Sequence, residues 1–165
     1  MKKRGVKINW WIVAAWAVAA EAIGAASQLF AGDVKGYYLS LNLPPLAPAP
    51  AVFGIAWGIL YLLLGGAAGY VYQLAPASEQ LQKKRRVAQV VYWLQLLLTF
   101  CWSIVFFGWH SDAGAIVIVL MLVALNVYQW WLYRSLDKRA AWALVPYVAW
   151  LAFASYLTIG VALRR

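Results

Sequence analysis

Charge and soft metal ligands are scarce in this chain. Asp, Glu, Lys and Arg make up 12% of its 165 residues. A soluble domain carries about 25%, so a soluble globular enzyme is excluded first. A single cysteine, Cys101, and a single histidine, His110, rule out a disulfide framework. They also leave too few ligands for an all-protein zinc site or an iron–sulfur cluster, so no metal is expected. Cys101 reads as a small packed residue and His110, beside Ser111 and Asp112, as an interfacial one. No nucleophile–base arrangement, phosphate loop or metal spacing is present. Internal repeats and low-complexity tracts are absent too.

What is abundant is apolar surface, with 65% hydrophobic residues and a mean hydropathy of +0.71. It falls in five runs at about 8–30, 51–74, 87–109, 113–133 and 140–163. At about 1.5 Å per residue each run crosses a hydrocarbon core about 30 Å thick. The segment 31–50 is too polar and too broken by Pro44, Pro45, Pro48 and Pro50 to span. The expected fold is therefore all-α and integral to the membrane. It is a single domain over 1–165, a five-transmembrane-helix bundle with a long Pro-rich first loop. Ala20-Glu21-Ala22 resembles a signal-peptidase site, but the apolar run continues to Phe30, beyond a signal core of about 7–15 residues.

The net charge of +9 lies at the ends of these runs, so it reads as topology signal and anionic-lipid contact, and nucleic acid is not expected as a partner. With loops on alternating sides, Lys2, Lys3, Arg4, Lys7, Lys83, Lys84, Arg85, Arg86, Arg134, Lys138 and Arg139 share one side, and Lys35, Arg164 and Arg165 the other. The positive-inside rule puts the N-terminus in the cytoplasm and loop 31–50 and the C-terminus outside. The basic start, without a transit pattern, fits a bacterial inner membrane.

Interior faces of helices in lipid are sought from small and polar residues. The second span aligns Gly54, Gly58, Gly65 and Gly69 with Tyr61. The third aligns Gln95, Thr99, Trp102 and Phe106, and the fourth Asn126, Trp130 and Tyr133. The fifth aligns Tyr147, Ala154 and Thr158, with Trp150 beside them. The first offers Glu21 and Gln28 among Ala14, Ala17 and Ala25. Glu21 is costly in mid-span and is expected to face a cavity or to hydrogen-bond another helix. Trp10, Trp11, Trp109, Trp131 and Trp142 lie near span ends, where aromatic belts form. Trp57, Trp102 and Trp150 lie deeper, and rigid aromatic faces around a gap suit a flat apolar ligand.

Several motifs then resemble one family. Tyr37-Tyr38-Leu39-Ser40-Leu41-Asn42-Leu43-Pro44, Pro48, Val52-Phe53, Trp57 and Leu60-Tyr61 resemble the first loop and second helix of the translocator protein family, also called tryptophan-rich sensory proteins. Trp102-Ser103-Ile104-Val105-Phe106-Phe107-Gly108 is similar to its Trp-x-x-x-Phe-Phe-Gly. The run from Pro146 to Ala154 is similar to its fifth-helix signature. The resemblance implies a five-helix bundle, often a homodimer, whose cavity under the first loop binds porphyrins or other tetrapyrroles, sterols or related lipids. Together with the inward faces, this gives Tyr38, Trp57, Tyr61, Thr99, Trp102, Tyr147, Trp150 and Thr158 as the expected binding residues. The resemblance further implies light-dependent porphyrin degradation with Trp57 and Trp150 as the photochemical residues, the porphyrin serving as ligand or substrate and no other cofactor being required. Leu43, Leu46, Ala49, Thr99 and Thr158 depart from the family pattern and make the pocket less polar. Three classes stay open: a receptor-like binding protein, a light-dependent enzyme, and a sterol or lipid binder or transporter. Transport is the weakest without a repeat.

Overall fold

A computed structural model describes residues 7–165. Lys2, Lys3 and Arg4, which the orientation argument counts, lie outside the described residues. Six α-helices follow in order, five of them long and apolar enough to span. Helix α1, Trp10–Ala31, starts where the Asn9 side chain accepts from the Trp11 N–H at 3.0 Å. It stops at Gly32, whose φ of 78° suits a residue without Cβ. Helix α3, Pro50–Tyr72, opens on a proline, which has no N–H to leave unpaired. Helices α4 (Glu79–Ser103), α5 (Asp112–Leu136) and α6 (Lys138–Ala162) complete the spans.

Three boundaries differ from the sequence expectation. The loop 31–50 contains a short helix, α2, Val34–Ser40, begun by Asp33, whose carboxylate accepts from the Gly36 N–H at 2.9 Å. Helix α4 begins at Glu79 rather than at 87, so Lys83, Lys84, Arg85 and Arg86 are helical. Hydropathy bounds only the part of a helix that lies in lipid. Here Ser78 accepts from the Leu81 N–H, Glu79 favours the positive helix end, and Gln, Lys and Arg propagate the helix. For the same reason α5 and α6 run to within one residue of each other. Asp137 alone links them, donating its N–H to Tyr133 O and accepting the Arg139 N–H, both at 2.8 Å. Beyond Ser103, α4 continues as a π-helical turn, Ile104–Gly108. Both Phe106 and Phe107 are buried there.

Contacts between elements run α1 to α3, α3 to α6, α6 to α5, α5 to α4 and α4 back to α1, which closes a ring. Its seams are the small and polar groups that association in lipid requires. Gly65 and Gly69 let α3 approach α1 so closely that a Cβ on Gly65 would lie 2.6 Å from Trp16 O, and one on Gly69 2.8 Å from Trp16 Cβ. This glycine pair is thus used inside the bundle. Between α4 and α5, Gln95 donates to Gln129 and Asn126 donates to Gln95 at 3.0 Å, while within α5 Gln129 donates to the Tyr133 hydroxyl at 2.8 Å, all fully buried.

The face chosen for the first span is corrected. Helix α1 buries Ala20, Gly24, Ser27 and Ala31, while Ala14, Ala25 and Gln28 are exposed and Glu21 is half-buried. The third-span face is buried as expected. Trp10, Trp11, Trp109, Trp131 and Trp142 are all exposed near helix ends, as an aromatic belt requires.

Candidate functional site

The ring encloses a cavity of about 350 Å³ near the end that carries α2. Three spans wall it. Helix α1 contributes Gly24, Ser27 and Gln28; α3 contributes Phe53, Gly54, Trp57 and Tyr61; α4 and its π turn contribute Thr99, Trp102, Ser103 and Phe107. Helix α2 roofs it with Val34, Lys35 and Tyr38. Gly24 is needed here because the Tyr61 ring occupies the space where its Cβ would stand.

The walls are aromatic and interlocked. Trp57 packs against Tyr61 and Trp102 with ring centroids 5.9 and 6.0 Å apart, and Trp102 stacks on Phe106 at 5.2 Å. The π turn brings Phe106 and Phe107 onto this cluster together, as such turns often do at functional sites. Polar groups are few. Ser27 donates to Gly24 O at 2.7 Å and reaches the Ser103 hydroxyl at 3.3 Å. Thr99 donates to Gln95 O at 2.8 Å and bonds the Tyr147 hydroxyl at 3.1 Å. The indole N–H groups of Trp57 and Trp102 are buried and have no partner among the described residues.

The expected site residues separate into layers. Tyr38, Trp57, Tyr61, Thr99 and Trp102 line the cavity. Tyr147 and Trp150 stand behind Trp57, meeting it edge to face at 6.2 and 6.4 Å. The two expected photochemical indoles are therefore in contact at one height, with no gap between them for a macrocycle. Thr158 faces a neighbouring cleft of about 10 Å³, shared with Leu43, Tyr38 and Trp102, and its hydroxyl donates to Ala154 O at 2.8 Å. That cleft is at the lower limit for one water. Leu46 points away, 85% exposed.

Gln28 and Gly54 line the cavity from faces the sequence marks as inward, whereas Gly24, Ser27, Lys35, Phe53, Ser103 and Phe107 are lining residues outside the expected binding set. A signal for α1 existed, because Ala20, Gly24, Ser27 and Ala31 recur at helical spacing. Among the described residues no cluster of His, Cys, Asp and Glu is arranged to hold a metal.

The roof is fastened to the loops and to the C-terminal end of the chain. The Tyr38 hydroxyl donates to Pro48 O at 2.8 Å, and burial pushes that phenol above its ordinary pKa, so it stays a donor. Tyr37 stacks on His110 at 4.0 Å and accepts from Arg165, which pairs with Asp112 at 3.0 Å. The Tyr156 hydroxyl donates to Pro45 O at 2.9 Å.

Comparison with known proteins places these features in a wider set. The model of the TspO/MBR family matches residues 12–164. The tryptophan-rich protein TspO of Chlorobaculum tepidum is 30% identical over 141 residues, covering 85% of this chain and 87% of that protein. Protein CrtK of Rhodobacter capsulatus is 32% identical over 152 residues, covering 91% and 90%. The human translocator protein is 31% identical over 153 residues, covering 89% and 86%.

Proposed function

The chain belongs to the TspO/MBR family, and from that premise we propose that it binds a porphyrin or other tetrapyrrole in the cavity beneath α2. The observation that carries this reading is the pair of buried indole N–H groups, on Trp57 and Trp102, left without acceptors in an aromatic cavity. An unmet buried donor costs about 1–3 kcal/mol. A flat apolar molecule with acceptor atoms on its edge relieves that cost while its faces lie on the rings. The Ser27, Thr99 and Ser103 hydroxyls are turned to helix carbonyls, so these two indoles are the donors of the aromatic wall that a ligand acceptor can satisfy.

A photochemical extension belongs to the same reading. The bound macrocycle absorbs the light, and the chain supplies orientation, exclusion of water and an oxidisable group at contact distance. Trp57 lines the cavity and Trp150 touches it from behind, so Trp57 is the first donor and Trp150 the second. The site sits in a bacterial cytoplasmic membrane with the N-terminus inside, which puts the cavity at the outer leaflet. Sterols and uncharged lipids are the competing occupants.

The test is a titration of protoporphyrin into folded protein, followed by absorbance and tryptophan fluorescence. Quenching with a shifted porphyrin band supports binding, and no change in either signal overturns it. Illumination of the complex then separates a holder from a degrader: loss of the porphyrin band only with the protein present supports photochemistry, and a stable band limits the function to binding.

A further inference from the structure

We propose that the ligand enters this cavity sideways from the lipid, through a gap between α1 and α3, and that Lys35 at the rim of the gap selects amphiphiles carrying a carboxylate. The inference rests on the binding reading above and adds its route and its charge preference.

The two helices are not packed alike along their length. A Cβ on Gly69 or Gly65 would collide with the α1 backbone or the base of Trp16, at 2.8 and 2.6 Å. One on Gly58 would find only Glu21 Oε1, at 3.7 Å, and one on Gly54 would find nothing within 4 Å. The helices therefore diverge toward the α2 end. At the widest point Gln28, Ala51 and Gly54 line the cavity and are exposed, so the wall is least covered there. The neighbouring Leu29 and Ile55 are exposed apolar side chains, which places the opening in hydrocarbon. The aqueous route is the obstructed one, since the loop above is held by the contacts of Tyr37, Tyr38, Tyr156 and Arg165.

Charge at this end is sparse and mostly engaged. Arg164 donates to Gly160 O, and Arg165 is taken up by Asp112 and Tyr37. The nearest acid along the chain, Asp33, accepts from the Gly36 N–H. Lys35 lines the cavity, is exposed, and makes no ion pair among the described residues. A lysine at this level keeps its stem on apolar surface and its ammonium at the headgroups, where the acid of an amphiphile whose body fills the gap also lies.

The test uses protoporphyrin, which carries carboxylates, and its dimethyl ester, the same macrocycle without them, each loaded into neutral phosphatidylcholine vesicles holding the protein. The parent is expected to prefer the diacid by roughly fivefold, the upper range for a solvent-exposed ion pair. Lys35→Gln should lower diacid affinity to that of the ester. Gly54→Phe, whose side chain starts in open space, should slow association from vesicles several-fold with its melting temperature unchanged. Arg165→Gln, which loosens the loop, should leave the association rate as it was. Equal affinity of the parent for both forms, or a preference surviving Lys35→Gln, overturns the selection while leaving the binding reading intact. An association rate untouched by Gly54→Phe, or raised by Arg165→Gln, overturns the lateral route. A parent that binds neither form overturns the binding reading itself.

Discussion

An indole can be replaced by a phenyl ring without losing its apolar face, but it then loses both its N–H and its ease of oxidation. Trp57 and Trp150 are separable on that basis, since one lines the cavity and the other touches only the first. Trp57→Phe is expected to weaken porphyrin affinity modestly, by the worth of one hydrogen bond, about 1 kcal/mol or fivefold. Trp150→Phe is expected to leave affinity unchanged. Both should slow light-driven loss of bound ligand, Trp57→Phe more; a double Phe variant that bleaches its ligand as fast as the parent removes the indoles from the photochemistry. Glu21 is a different case. The expectation of a cavity-facing or hydrogen-bonded acid is not met: it is absent from the lining, and its Oε1 is buried against Gly58 without a partner among the described residues. An acid in mid-span costs about 2.5–3.5 kcal/mol on insertion scales. Glu21→Leu should therefore raise the melting temperature in detergent and leave porphyrin affinity alone. A lower melting temperature would mean that the carboxyl has a partner outside this chain.

Helix pairs carry the stability, and two seams differ in kind. Between α1 and α3 the seam is steric: Gly65→Leu or Gly69→Leu forces side-chain atoms into the α1 backbone or Trp16, and overpacking of this sort costs about 1–3 kcal/mol or more. Melting should fall by several degrees, at about 2–4 °C per kcal/mol for a chain of this size, whereas Gly54→Leu should not lower it. Between α4 and α5 the seam is an amide network. Gln95→Leu strands both Asn126 and Gln129, so it is expected to cost about 1–2 kcal/mol, read as a lower melting temperature. The same contrast explains what could be read from the residues. In the third span Gln95, Thr99 and Trp102 are polar or bulky against an aliphatic background, so the inward face was marked, and the structure buries all three. In the fourth, Asn126 and Tyr133 marked the face, while Gln129, fully buried between them, was passed over for the neighbouring Trp130. In the first, alanines lie on every side, from Ala14 and Ala15 through Ala19, Ala22 and Ala26, and carry no direction. The buried stripe Ala20, Gly24, Ser27 and Ala31 has helical spacing, but among so many alanines that spacing does not stand out, and it is the Tyr61 ring in the place of a Gly24 Cβ that gives the stripe its direction. The start of α4 escaped because hydropathy is blind to a helix that leaves the lipid. The π turn escaped because it changes hydrogen bonding without changing composition.

At the scale of the whole molecule, orientation is the property that decides which leaflet and which compartment meet the cavity. Five spans place the two chain ends on opposite sides of the membrane. The chain ending at Arg165 shares its side with α2, Lys35 and the cavity; Lys7, Arg134, Lys138, Arg139 and the basic turn of α4 share the other. The helical placement of Lys83, Lys84, Arg85 and Arg86 sharpens this asymmetry. Held on a helix that emerges from lipid, these cations stand at a fixed height beside the headgroups, and Lys84 lies over the Trp131 ring at 4.7 Å. Each cation near an anionic surface contributes about 1 kcal/mol toward that side, and the opposite end has only Lys35, Arg164 and Arg165 to set against them. A reporter fused after Arg165 should therefore be active only as an exported domain, and a reporter inserted between Ala77 and Ser78 only as a cytoplasmic one. Replacing Lys83, Lys84, Arg85 and Arg86 together by Gln should mix the two signals in the membrane population while leaving the helix intact, since Gln is as good a helix former as Lys. A cytoplasmic signal after Arg165 in the parent would reverse the assignment and put the cavity, with its lateral gap, in the inner leaflet.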